Sequence, residues 1–230
     1  MINDAAHIRT FTRFLNLAEN DPQRGVDPAD TNYKSIYIYN DGNHKRKQVT
    51  LGRGFTQDGG NLWKVLARYI AKGGAKADFF ASYQAKMSNG DLWQDKEFLK
   101  TIGTCSTEQA MRDAQDEVFN EAYLNPALQW ADAHGFKLAL SYGVAVDSYL
   151  HSGQMTSWLI NKFPEHSPAN GGDEKKWMQA YLEERLAWFE RVSGALHTCT
   201  FRPKFFLTQI KSGNWDLVCP MTVPGKGIIS

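Results

Sequence analysis

Several features that would assign a chain to a class at a glance are missing here. No stretch of the 230 residues approaches the ~20 apolar positions a membrane-spanning helix needs, so membrane insertion is not expected. The opening "MINDAAHIRTF" has neither the basic nor the apolar region of a secretion signal. Three origins fit that absence: a protein cytoplasmic when made, one delivered by another route, or a fragment of a longer chain. Charge of one sign is scarce too, with 26 Lys and Arg against 25 Asp and Glu and a formal net charge of +1. No global field steers the protein to nucleic acid, which is not an expected partner.

Cysteine is sparse and odd in number. Cys105, Cys199 and Cys219 exclude a complete disulfide framework, leaving either a Cys199–Cys219 bridge or three reduced thiols, of which the second is the simpler. His197, Cys199 and Cys219 lack zinc spacing and no CxxC is present, so no metal is expected. "GRG" at 52–54 has no following Lys-Ser/Thr, which excludes a phosphate loop. Ser-His-Asp catalysis has no supporting motif, and nothing calls for an organic cofactor. Internal repeats and low-complexity tracts are absent.

Aromatics, by contrast, are plentiful: seven Trp, nine Tyr and thirteen Phe, which suit a packed core and flat sugar surfaces equally well. Ile8, Phe11, Phe14, Leu15 and Ala18 recur at helical spacing and predict a helix over 5–19. Glu19 lies one turn beyond Leu15, on its apolar face. Pro22, Gly25 and Pro28 then break the pattern. "YKSIYIYN" reads as a strand, Asn40-Asp41-Gly42 as a turn, and "QVTLG" as the return strand.

From Asn61 onward helices dominate. "NLWKVLARYIAK" puts Leu62, Val65, Leu66 and Tyr69 on one face, and "STEQAMRDAQDEVFNEAYL" reads as a helix capped by Ser106 or Thr107. "PALQWADAHG" and the nearly all-apolar "LALSYGVAVDSYLHSG" follow, the second as a central helix. In "DEKKWMQAYLEERLAWFERV", Trp177, Tyr181, Trp188 and Val192 read as core contacts. The outline is a mostly helical protein with one small N-terminal β-hairpin.

Two carboxylates invite a chemical reading. Glu19, at a helix end on the apolar side, and Asp41, in a hairpin turn, suit an acid/base pair, because a carboxyl in semi-apolar surroundings keeps a proton to donate. Spacing alone leaves the alternative open: a solvated Glu at a helix end and an Asp chosen for turn geometry. Asp147 interrupts an apolar helix, where an unpaired carboxylate is expensive. It demands a partner, and Arg185 and Arg202 both lie near apolar residues. The "HKRK" run, with no interleaved aromatics, reads as a solvated loop.

With these residues in hand, the chain resembles the family 46 chitosanases and, more distantly, the phage-type lysozymes. "FLNLAEN", "YIYNDG…VTLGRGFT", "RDAQDEVFNEAYLNPAL", "LALSYGVAVDSYLHSG" and "DEKKWMQAYLEERL", with "FRPKFF" and "GNWDL", carry the resemblance in order over nearly the whole chain. It implies an α+β, mostly α, two-lobed lysozyme-like fold with a substrate cleft between the lobes. One catalytic domain would span 1–230, a smaller lobe with the hairpin at about 20–60 and a larger helical lobe at about 61–230. Glu19 then falls on the general acid, Asp41 on the general base and Thr50 on the residue that helps hold the attacking water. Inversion would need the two carboxyls ~6.5–9.5 Å apart. Asp147, Arg185 and Arg202 fall on a buried charge network around the acid.

The departures from the family pattern are informative. Thr50 comes nine positions after Asp41 because "NHKRK" intervenes, and His151-Ser152-Gly153 is one residue out of step with the family's His-Gly. Six residues after Phe55, where the family carries an Asp that reads the glucosamine ammonium, this chain has Asn61. An amide cannot neutralise an ammonium but can hydrogen-bond an N-acetyl group, with Asp58 as partial compensation. Tyr37 and Arg53 are further candidates for sugar contact. Together with the charge of +1, this favours peptidoglycan cleavage in the manner of a lysozyme, with chitosan hydrolysis and a catalytically silent sugar-binding module as alternatives. The expected partner is a polysaccharide. Action on a cell wall after delivery, as a toxin or phage lysis protein, would also call for a delivery or immunity protein.

Overall fold

Apolar residues at helical spacing form α1, Ala5–Glu19, over the span the sequence predicts. Phe11, Phe14, Leu15 and Ala18 are buried as expected, whereas Ile8 is only half-buried. Towards its end the helix is enclosed more fully than one stripe requires, since Asn16 and Leu17 are buried as well. The computed structural model describes residues 5–19, 33–40, 42, 46–89 and 91–230. Asp41, His44 and Lys45 of the basic run that follows it, and the Pro/Gly segment after α1 lie outside the described residues.

The chain divides into two units, residues 1–30 with 123–230 and residues 31–122. The second contains the sheet: β1 Ile36–Tyr39, β2 Gln48–Leu51 and β3 Phe55–Thr56, antiparallel in the order β1-β2-β3. The hairpin was expected, while β3 was not. Gly52 and Gly54, at φ 55° and 88°, turn the chain from β2 into β3. That conformation suits glycine and accounts for both residues without a sugar nearby.

This unit extends further than the lobe drawn from sequence. It takes in α2 Asn61–Ala71, α3 Ala77–Ala81, α4 Gln84–Asn89, α5 Lys96–Cys105 and α6 Gln109–Phe119, because α2 packs on both β3 and α6. Leu62, Val65, Leu66 and Tyr69 of α2 are fully buried, as their spacing predicts. The α6 cap differs from the expectation. Glu108 takes that position, while the Ser106 and Thr107 hydroxyls donate back to Gly103 and Thr104 carbonyls at 2.6 and 3.1 Å, finishing α5. The chain returns to the first unit through a π-helical segment, Asn120–Leu124, rather than a continuous α-helix.

The first unit is built round α8, Ala139–Ser152, whose residues 139–148 are all buried. The helix ends at Gly153, left-handed at φ 76°, and the extra residue after His151, Ser152, is the last of the helix. α1 and α7 Asn125–Ala133 pack on α8, while α10 Glu174–Arg191 packs on α9 Ser157–Ile160 and α11 Phe201–Lys211. Asp173 caps α10 by accepting from the Lys175 and Lys176 amides. The neighbouring Glu174 carboxylate accepts from the Lys137 and Leu138 amides and fixes the approach to α8. Trp177 and Tyr181 are core residues, but Trp188 and Val192 are only half-buried. A second hairpin closes this unit, β4 Met221–Val223 with β5 Gly227–Ile229, against the expectation of a single hairpin. None of the three cysteines is in a disulfide.

Candidate functional site

In the first unit the structure joins four of the residues singled out from sequence. Asp147 is fully buried on α8 and accepts from Arg185 of α10 at 2.6 Å and from Arg202 of α11 at 2.5 Å. Arg202 reaches in the other direction to the Glu19 carboxylate at the end of α1. The result is a charge chain, Arg185–Asp147–Arg202–Glu19, three of whose members are buried and whose last keeps 31% of its side chain accessible. Glu19 thus sits against a guanidinium, an ionic setting rather than the semi-apolar one its place on α1 suggested.

Electrostatics follow from this packing. Burial disfavours the Arg202 charge, but the Glu19 and Asp147 carboxylates outweigh it and raise its pKa above the ordinary guanidinium value. Burial likewise opposes the Asp147 charge, and the attraction of Arg185 and Arg202 overcomes it, so its pKa lies below the usual carboxylate value. His151, one turn further along α8, is pushed down to about 3, first by burial and then by the two guanidiniums. It is therefore neutral beside the pair, its ring 5.3 Å from that of Phe189 in an edge-on contact.

The second unit holds the other candidates. Thr50 pairs with Tyr37 on one side and Thr56 on the other, which puts the three side chains on one face of the sheet. Tyr37 stacks on Tyr39 at 5.6 Å. Thr50 is 6% exposed and its hydroxyl has no hydrogen-bond partner among the described residues. Such a group costs free energy unless water or a ligand meets it.

Arg53 and Asp58 turn out to be committed inside the protein. Arg53, 5% exposed, ion-pairs with Asp116 and lies 4.1 Å over the Phe119 ring. Burial lowers its pKa in spite of Asp116. Little of it is left for a sugar. Asp58, its side chain 5% exposed, accepts from Arg46 and is neutralised by it. It therefore cannot supply the uncompensated charge that was expected to stand in for an ammonium reader. Arg46 and Lys47 also depart from the solvated-loop reading, the second lying 4.5 Å over the Trp93 ring. Asn61 is the first residue of α2 and half-buried.

Residues 26–221 match the model of glycosyl hydrolase family 46. The chain belongs to this family. It is a glycoside hydrolase. A chitosanase of Bacillus subtilis (strain 168) is 32% identical to it over 109 residues, 44% of this chain. That match spans only 39% of the length of the curated relative. Among solved structures, the native chitosanase from Bacillus subtilis MY002 superposes with a TM-score of 0.83, at 22% identity over 99% of both chains. A Gynuella sunshinyii chitosanase in complex with chitotetraose gives 0.82 at 21% identity, over 99% of this chain and 98% of that one. At these identities the likeness is one of fold, which is the lysozyme-like, mostly helical α+β fold of family 46 chitosanases.

Sequence reasoning missed several residues of this family 46 chain. Asp116 and Tyr33 receive and flank Arg53, with the Tyr33 hydroxyl donating to Asp116 at 2.8 Å. A demand for partners was raised for Asp147 and not for Arg53, although both are charges in apolar surroundings. Asn16, 1% exposed and three residues before Glu19, has neither side-chain polar atom hydrogen-bonded among the described residues. Its place within "FLNLAEN" gave no signal of that.

Proposed function

We propose that this glycoside hydrolase cleaves β-1,4 bonds between glucosamine units of chitosan, with Glu19 as general acid, Asp41 as general base and Thr50 holding the attacking water. The observation that carries the reading is the chain from Glu19 through Arg202 to Asp147. It fixes an accessible carboxyl on a guanidinium that is itself anchored by a buried carboxylate. Once the proton has passed to the leaving oxygen, Glu19 is a carboxylate, and Arg202 stabilises the charge that develops there. The Thr50 hydroxyl, buried and unbonded within the described protein, supports the water-holding role. The part of Asp41 rests on the family pattern alone, since it lies outside the described residues.

Chitosan stands ahead of peptidoglycan because the relative at 32% identity is a chitosanase and the structural neighbours carry the same name. Peptidoglycan is a second reading, favoured by the Asn61 amide and by the neutralisation of Asp58. Delivery to a cell wall and an immunity partner belong to that second reading. Reducing-end assays on chitosan and on purified peptidoglycan decide between them, with chitosan cleaved and peptidoglycan inert as the expected result. Glu19→Gln should lower kcat by ~10²-fold or more while leaving polymer binding intact. Binding without hydrolysis of either polymer by the wild type would leave a sugar-binding module instead.

A further inference from the structure

A cavity of about 440 Å³ opens in the second unit. Arg46, Gln57, Asp58, Trp63, Gln84 and Met87 line it. The volume falls within the range of small-ligand sites. Among the described residues its lining contains one carboxylate, Asp58, and that carboxylate accepts from Arg46 Nε at 3.1 and 3.0 Å through its two oxygens. The backbone of the same residue is also held, its amide donating to Gln48 Oε1 at 2.9 Å. Asp58 is thus fixed in place and its charge is balanced.

An ammonium entering this cavity would meet a guanidinium beside the carboxylate it needs. Each step in its desolvation would go uncompensated. An acetamido group faces no such penalty. It is neutral, has one N–H and one carbonyl, and ends in a methyl. Gln84 offers amide donors and an amide acceptor for the polar part. The Trp63 ring and the buried Met87 thioether offer apolar surface for the methyl. Resting on the reading of the chain as an amino-sugar hydrolase, we propose that this cavity is a subsite that takes an N-acetylglucosamine unit and discriminates against free glucosamine. The preferred substrate is then a partly acetylated polymer rather than a fully deacetylated one.

The test is equilibrium binding to the full chain, uniformly ¹⁵N-labelled, of the trimer of N-acetylglucosamine and the trimer of glucosamine. The Trp63 indole and the Gly60 and Met87 amides report on the cavity. The acetylated trimer should shift these resonances with an affinity at least about tenfold higher, the cost of leaving one buried polar group unmatched. Arg46→Met releases the Asp58 charge and should reverse the selectivity. Gln84→Glu, at an exposed position, should shift it the same way should the first variant fail to fold. Equal or tighter binding of the glucosamine trimer by wild type, or no shift of these resonances with either trimer, would overturn the assignment. Hydrolysis is scored separately on chitosans of different acetylation. Absence of cleavage there removes the chitosanase reading and leaves the binding result to stand by itself.

Discussion

Replacing Asp147 by Asn tests whether the four-residue charge chain organises the first unit. The side chain keeps its shape and loses its charge. Arg185, its own side chain 1% exposed, then has no carboxylate partner, and its Nε and Nη2 have no hydrogen-bond partner among the described residues. Arg202 is less affected because Glu19 still pairs with it. The variant therefore strands one buried guanidinium, not two. Breaking a buried ion pair from one side costs about 3–5 kcal/mol. For a chain of this size that corresponds to a fall in Tm of about 6–20 °C.

Urea unfolding followed by tryptophan fluorescence measures the loss as a lower midpoint at unchanged slope. The direction of the pH dependence is also set. Asp147 has a depressed pKa when folded, so its contribution is present above the ordinary value of 3.8 and fades as pH falls below it. Asp147→Asn should lose that acid-dependent part. Removing the other partner as well, with Asp147→Leu and Arg185→Met together, should cost less than Asp147→Asn alone, because no buried charge is left unpaired. A loss below about 1 kcal/mol for Asp147→Asn, or a double variant that is worse than the single one, would refute the argument.

The remaining tests address the two units separately. His151 takes up a proton at its ordinary value of 6.5 when unfolded but only at about 3 when folded, so the unfolded state binds more protons in between. Stability should therefore fall as pH drops from about 6.5 towards 3, by up to about 1.4 kcal/mol per pH unit from this group. The difference in unfolding curves between wild type and His151→Asn across that window isolates the effect, and equal slopes would refute it. Thr50→Val removes a hydroxyl with no partner inside the described protein, so thermal unfolding should show no loss of stability. If that hydroxyl holds the attacking water, kcat falls at least about tenfold while KM changes little. A stable Thr50→Val enzyme of full activity would remove Thr50 from the mechanism.

What the sequence disclosed depended on how local each signal was. The span of α1 follows from apolar spacing within fifteen residues, and the burial of Leu62, Val65, Leu66 and Tyr69 follows from one helix face. Asp147 was legible because a carboxylate in an otherwise apolar helix has one sustainable explanation. The strands β3, β4 and β5 were not, being two or three residues long and too short for an alternating pattern to emerge. The π-helical segment Asn120–Leu124 left no mark on the apolar periodicity either. Its consequence is the passage of the chain between units inside what had read as a single helix.

Charge was the least local property, and it misled most. The run "HKRK" suggested one solvated patch, yet Arg46 pairs with Asp58 while the adjacent Lys47 lies over Trp93. Neighbouring residues in extended chain point to opposite sides, so a run of like charges in sequence need not remain a patch in space. The same reasoning applies to the net charge of +1, which was taken to count against a polycationic substrate. Fields from exposed charges are screened beyond about 10 Å at ordinary ionic strength. A bound ligand responds instead to the groups within a few ångströms of it, so the partner of each carboxylate matters more than the total. Total charge therefore bears on encounter, whereas the pairing of individual carboxylates bears on whether an amine or its acetylated form is preferred. Two chains with identical composition could differ in that preference through the partner of one aspartate.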